Sequence, residues 1–145
     1  MLGRLARWLR LLGYDTLYDR RWDDAELARA AAREQRVLLT RDHALLRRRI
    51  VRRGLLVDED DPDQQLRLVV AELGLACEPE RLFSRCLRCN TPVEPVEADD
   101  VRGQVPPYVL RHCDRFARCP GCGRVYWNGT HQRLALERLS GILGS

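Results

Sequence analysis

Four of the chain's six cysteines fall into two copies of one short pattern, Cys86-Leu-Arg-Cys89-Asn and Cys119-Pro-Gly-Cys122-Gly. Two residues between thiols let both sulfurs reach one ion at ~2.3 Å, and two such turns complete a tetrahedral four-thiolate zinc site. Each pair is followed by a residue, Asn90 or Gly123, that tolerates positive φ. The stretch between the pairs exceeds the usual finger spacing and suits a ribbon with an enlarged hairpin loop. A redox pair or disulfides would use the same residue type. A redox pair normally stands alone beside a βαβ unit, however, and a chain without a secretory signal disfavours disulfides. Cys77 and Cys113 have no partner spacing and read as ordinary buried thiols. His112 and His131 read as surface or satisfied histidines, which a site closed by four cysteines does not need.

A second group of residues could do different chemistry. In Leu38-Leu39-Thr40-Arg41-Asp42 an apolar strand runs out into Thr40, Arg41 and Asp42, just where a helix begins. Ligands bind at the carboxyl ends of strands in open parallel sheets, and Asp42 would stand there. Asp24, opening the preceding helix, would face the same edge. Two carboxylates with an arginine beside them suit Mg²⁺ or Mn²⁺ and a phosphate. The competing reading is plain helix capping by Asp23 or Asp24 and by Asp42.

These residues need elements to hold them. Leu2, Leu5, Leu9 and Leu12 share one face of an opening helix that stops at Gly13, with Arg4, Arg7 and Arg10 spread over the other. Residues 15–18 follow as a short strand. Residues 24–34 form an alanine-rich helix with Asp23 and Glu26 in capping-box spacing. Residues 36–40 form a buried strand, 44–53 a helix ended by Gly54, and 55–57 another strand. A helix over 63–73 then starts from Asp61 and Pro62 and ends before Gly74. Strands alternating with helices predict an α/β fold with a parallel sheet. From about Leu82 prolines, glycines and cysteines accumulate, and helical periodicity returns only over 131–139. The expected organisation is an α/β domain over 1–81 and a smaller zinc-ribbon module with a C-terminal helix over 82–145.

The chain has 145 residues, 45% of them hydrophobic and 32% charged, as soluble globular proteins do. No apolar run approaches 18 residues and no signal-peptide pattern is visible, so a cytoplasmic protein without a membrane span is expected. All 25 basic residues are arginine and the formal net charge is +4. Their distribution is uneven: six arginines against the single acid Asp42 between Arg41 and Arg53, then five acids between Asp58 and Asp63. The arginine run, with Arg47, Arg48 and Arg52, suits either phosphate contacts or plain solvation.

Taken in order, LGRLARWLRLLGYDT, DAELARAA, VLLTRD, RCLRCN, CPGCGRVYW and NGTH resemble the PIN-like ribonuclease domain with a fused zinc ribbon. That family is named for the C-terminal RNase domain of the Mut-seven exonuclease. The resemblance spans nearly the whole chain. It implies a PIN-like, Rossmann-type parallel sheet with a C-terminal zinc ribbon, and metal-dependent cleavage of RNA. By motif, Asp24 and Asp42 become the acids that bind Mg²⁺ or Mn²⁺, with Asp58 a further acid. Arg41 would lie beside the phosphate, and Cys86, Cys89, Cys119 and Cys122 become zinc ligands. The family pattern also opens with a short apolar strand ending in aspartate ahead of Met-Leu-Gly, so upstream codons are expected to encode it and to strengthen activity.

The expected function is therefore an endoribonuclease in which Asp24, Asp42 and Arg41 act and Arg47, Arg48 and Arg52 hold RNA. The alternative is a non-catalytic zinc-ribbon RNA-binding protein whose acids only cap helices. A protein partner is a third possibility, and no exposed apolar stripe argues for one.

Overall fold

The computed structural model describes residues 2–144. The expected strand upstream of Met1 lies outside the described residues. The chain folds as two compact units, one of Met1–Ala6 and Leu17–Ala76, the other of Arg7–Thr16 and Cys77–Ser145. Helix α1 (Gly3–Leu11) contributes to both. It closes in a Schellman turn: Gly13, at φ +96°, donates its N–H to the Arg10 carbonyl, and the Tyr14 N–H reaches the Leu9 carbonyl.

In the first unit, α2 (Asp24–Arg33) is capped by Asp23, whose carboxylate accepts the Glu26 N–H at 2.8 Å. Strands β1 (Leu38–Thr40) and β2 (Gly54–Leu56) pair in parallel, Leu38 opposite Gly54 and Thr40 opposite Leu56. Between them lies α3 (His43–Leu46). Helix α4 (Pro62–Leu73) starts from the Asp61 cap with Pro62 in its first turn and ends at Gly74 in the left-handed region. Ala28, Ala31, Leu38 and Leu45 form one core cluster, with Leu27, Leu46 and Val51 against it. Val57, Leu66 and Val69 are wholly buried, each side chain contributing about 1.5–3 kcal/mol.

Two elements differ from the sequence reading. Residues 15–18 form no strand: the Thr16 N–H goes to the Asn90 side chain at 2.8 Å, not to a sheet. The helix expected over 44–53 stops at Leu46 and gives way to turns through Arg47–Ile50, so Arg47, Arg48 and Arg52 lie on a loop. Geometry explains the stop. A three-residue strand is about 10 Å long, and a ten-residue helix would overrun it by about half. Arg48 with Arg52, and Arg49 with Arg53, would also repel at the i, i+4 spacing.

In the second unit β3 (Glu94–Val96), β4 (Phe116–Arg118) and β5 (Val125–Trp127) form an antiparallel sheet in the order β3-β4-β5. The β3–β4 connection carries α5 (Pro107–His112), which the sequence reading missed; the β4–β5 hairpin carries the second cysteine pair. Val101, Val105, Val109 and Phe116 make the core here. Helix α6 (Thr130–Leu143) follows, longer than its periodic stretch suggested.

Candidate metal centre and acidic sheet edge

The two cysteine pairs fold into copies of one turn. The first cysteine of each donates its N–H to the carbonyl five residues on, Cys86 to Thr91 at 2.8 Å and Cys119 to Arg124 at 2.9 Å. The fourth residue on returns a bond to that cysteine's carbonyl, Asn90 to Cys86 and Gly123 to Cys119. Asn90 and Gly123 sit at φ +69° and +78°, the conformation their residue types tolerate. The four sulfurs lie within 4.8 Å of one another. Cys86 Sγ and Cys122 Sγ are 3.8 Å apart, which is about the edge of a tetrahedron whose ligands lie ~2.3 Å from its centre. Soft thiolates at that spacing fit Zn²⁺. Among the described residues no other group of three or more Cys, His, Asp or Glu side chains is placed to share an ion.

Cys86 and Cys119 are buried, while Cys89 and Cys122 reach the surface. Burial works to raise the Cys86 thiol. Hydrogen bonds from the Tyr126 hydroxyl at 3.1 Å and from backbone N–H groups outweigh it and bring the thiol down to about 6. The Tyr126 hydroxyl, which also accepts the Leu87 N–H at 3.0 Å, is itself pushed up to about 12 by burial and by Cys86.

The first turn also binds Arg10, which is only 7% exposed. Its guanidinium donates to the carbonyls of Leu87 (3.0 Å) and Arg88 (3.3 Å), the two residues between Cys86 and Cys89, and to Thr16 (2.9 Å). Burial lowers its pKa, opposed by the charges of Cys86, Cys89 and Asp15. Asn90 donates to Asp15 Oδ1 at 2.6 Å. Arg85 bridges the carbonyls of Gly13 and Asn90. No sequence signal marked Arg10 or Tyr126, because each lies far along the chain from the cysteine turn it serves. Cys77, expected buried, is exposed just beyond α4; Cys113 is half-buried beside Val109 and Phe116; His112 and His131 are exposed.

The acids sit in the first unit. The register that pairs Thr40 with Leu56 brings Asp42 and Asp58 out at the same carboxyl edge of the sheet, both exposed. Asp42 caps α3, its Oδ1 accepting the Ala44 N–H at 2.9 Å, and its own N–H goes to Thr40 Oγ1 at 3.0 Å. Asp24 is the exposed first residue of α2, one place beyond the cap. Arg41 pairs with Asp60 across the strand ends. Arg47, Arg48 and Arg52 are exposed. Asp24, Asp42 and Asp58 are not gathered into one ligand group.

The Mut7-C RNAse domain family model matches residues 1–139, nearly the whole chain and both cysteine pairs. The chain belongs to that family. No curated protein and no solved structure matches it. Membership in the Mut7-C family points to a nuclease-type function with RNA as substrate class. No helix among the described residues of this Mut7-C chain is long and apolar enough to cross a membrane.

Proposed function

We propose that the chain is a ribonuclease that hydrolyses RNA phosphodiester bonds within the strand, with Mg²⁺ or Mn²⁺ at the acidic sheet edge and zinc in the cysteine quartet. The observation that carries this reading is the family match over residues 1–139. The parallel strand pair with its exposed carboxylates at the carboxyl edge supports a PIN-like organisation of 1–81, with 82–145 as the ribbon module. Carboxylate oxygens suit a hard divalent ion, and Asp42 spends only one oxygen on its cap. Asp24 and Asp42 would hold the ion, with Asp58 the further acid. An ion held there would neutralise phosphate charge and lower the pKa of the attacking water.

The protein's own groups do the rest. Arg41 exchanges its Asp60 partner for a phosphate oxygen and stabilises the charge that builds as water adds to phosphorus and the ribose oxygen leaves. Arg47, Arg48 and Arg52, exposed on the loop after α3, supply phosphate contacts. The test is cleavage of a fluorogenic RNA with Mg²⁺ or Mn²⁺, comparing the native chain with Asp42→Asn. Metal-dependent cleavage that the substitution abolishes is expected; equal cleavage by both proteins refutes the assignment of these acids.

A second reading rests on the capping bonds: Asp23, Asp42 and Asp61 each accept an N–H at a helix start. On that reading the chain is a non-catalytic, zinc-ribbon RNA-binding protein. It then binds RNA with log K falling linearly against log salt and shows no turnover with either metal.

A further inference from the structure

A zinc ion held by four thiolates leaves a net charge of about −2, which a partly buried site must compensate with donors or cations. The first cysteine turn meets both. Tyr126 donates its hydroxyl hydrogen to Cys86 Sγ at 3.1 Å, and the Cys89 N–H reaches the same sulfur at 3.3 Å. Arg10 brings a buried positive charge to the turn, where it interacts with the charges of Cys86 and Cys89, and fixes the two carbonyls between its cysteines. Burying a guanidinium is costly, and the carbonyls of Leu87, Arg88 and Thr16 offset that cost only in part. A negative thiolate cluster beside it completes the balance.

We propose that Arg10 and Tyr126 form the outer shell of the zinc site, Arg10 as its buried counter-charge and Tyr126 as the donor that holds the Cys86 thiolate, so that together they retain the ion. The inference rests on zinc as the occupant of the quartet. Its consequence reaches into helix α1. Arg10 stands on the last turn of that helix, and the Tyr14–Thr16 segment beyond it is bonded to the cysteine turn through Asn90. Zinc binding and the docking of this segment then become one event. The shell also explains why Cys86, the buried cysteine of the first pair, receives the donors while Cys89 lies nearer the surface. A thiolate that accepts hydrogen bonds is a weaker nucleophile, and one less open to alkylation and to loss of metal.

The test uses the full chain, purified without added metal. Its zinc content is measured first: a native protein without about one zinc per chain overturns the zinc assignment itself, apart from the shell. Zinc release to a colorimetric chelator is then followed for the native chain and for Arg10→Met, Arg10→Lys, Tyr126→Phe and Arg133→Gln. Arg133 is an exposed residue of α6 and serves as the control for net charge. Outer-shell substitutions typically cost 10–100-fold in metal affinity, so Arg10→Met and Tyr126→Phe are expected to weaken zinc binding by roughly tenfold or more. Arg10→Lys should fall between Arg10→Met and the native chain, and Arg133→Gln should match the native chain. In the cobalt-substituted proteins the thiolate-to-metal charge-transfer band should move to lower energy in Arg10→Met and Tyr126→Phe, a change that mere loosening of the fold does not produce. Native release and an unshifted band in Tyr126→Phe and Arg10→Lys overturn the proposal even where Arg10→Met fails to fold. Lower melting temperatures with native zinc release reduce both residues to structural clamps and overturn it too.

Discussion

Gly13 offers a sharp test of how the second unit is closed around the first cysteine turn. At φ +96° it lies where an L side chain is strained, at a cost of about 1–2 kcal/mol for alanine. The surroundings add more. A Cβ on Gly13 would lie 2.5 Å from the Arg81 carbonyl oxygen, 2.9 Å from Arg81 Cβ and 3.1 Å from Ser84 Oγ. Two of these neighbours are backbone or its first carbon, so they cannot swing aside. The Arg81 backbone must retreat by about 1 Å to reach ordinary contact. That movement strains the bond from Arg81 Nη2 to the Gly13 carbonyl at 3.0 Å and the bond from Ser84 Oγ to the Arg81 carbonyl at 2.6 Å. Each contributes about 1 kcal/mol. The total for Gly13→Ala is about 3–4 kcal/mol.

Gly103 in the same unit is the matched control. Its φ is +88°, but a Cβ there would meet nothing within 4 Å, so Gly103→Ala should cost only the conformational part, about 1–2 kcal/mol. At about 2–4 °C per kcal/mol, Gly13→Ala should melt roughly 10 °C below the native chain and Gly103→Ala roughly 4 °C below it. Circular dichroism during heating, with urea unfolding for the free energies, reads both. Equal destabilisation by the two substitutions would refute the claim that contact with Arg81, beyond backbone conformation, holds Gly13.

Three further outcomes are expected. Cys86→Ser or Cys122→Ser should lose the zinc, measured by elemental analysis, and unfold the module around it; zinc retained in both would mean the ligand set is wrong. Asp42→Asn keeps an acceptor for the Ala44 N–H and should leave the unfolding free energy from urea titration within about 0.3 kcal/mol of native, whereas Asp42→Ala should lose about 1 kcal/mol. Hydrogen bonds from Arg21 hold the Asp19 carboxyl down to about 2, from an ordinary value of 3.8. Any stabilisation from this exposed pair is therefore complete above about pH 4 and fades as pH falls through about 2, and an NMR titration of Arg21→Gln, which keeps the backbone N–H bond to Asp19 Oδ1, should move the carboxyl part of the way back toward its ordinary value.

Local features carried much of the fold into the sequence. Asp23, Asp61 and Gly74 cap helices as their types and positions announced, and Asn90 and Gly123 take the positive φ that a cysteine turn needs. The four zinc-spaced cysteines were legible for the same reason: two residues between thiols is a local constraint. What failed was whatever depended on distant partners. Residues 15–18 have a strand-like look, but their bonding partner is a side chain at Asn90 rather than a neighbouring strand. Residues 44–53 have a helical look, but the sheet allows only the short α3 before the chain must return to Gly54, where a Cβ would already meet Leu46 Cδ2.

The same distinction governs the site. Ligands that lie close in sequence can be read from it, whereas the groups that set their chemistry come from wherever the fold delivers them. Arg10 looked like one of three arginines on the solvent face of an amphipathic helix, yet it is buried while Arg4 is exposed. A long cation spread over a helix face carries no mark of which copy will meet a carbonyl pair, and that depends on the register of α1 against the cysteine turn. Asp42 has the opposite character. Its position after an apolar strand announces both a cap and a metal-binding acid, and the cap bond alone cannot separate them, because one carboxylate can do both. Only a change that keeps the cap and removes the charge can divide the two roles, and Asp42→Asn is that change.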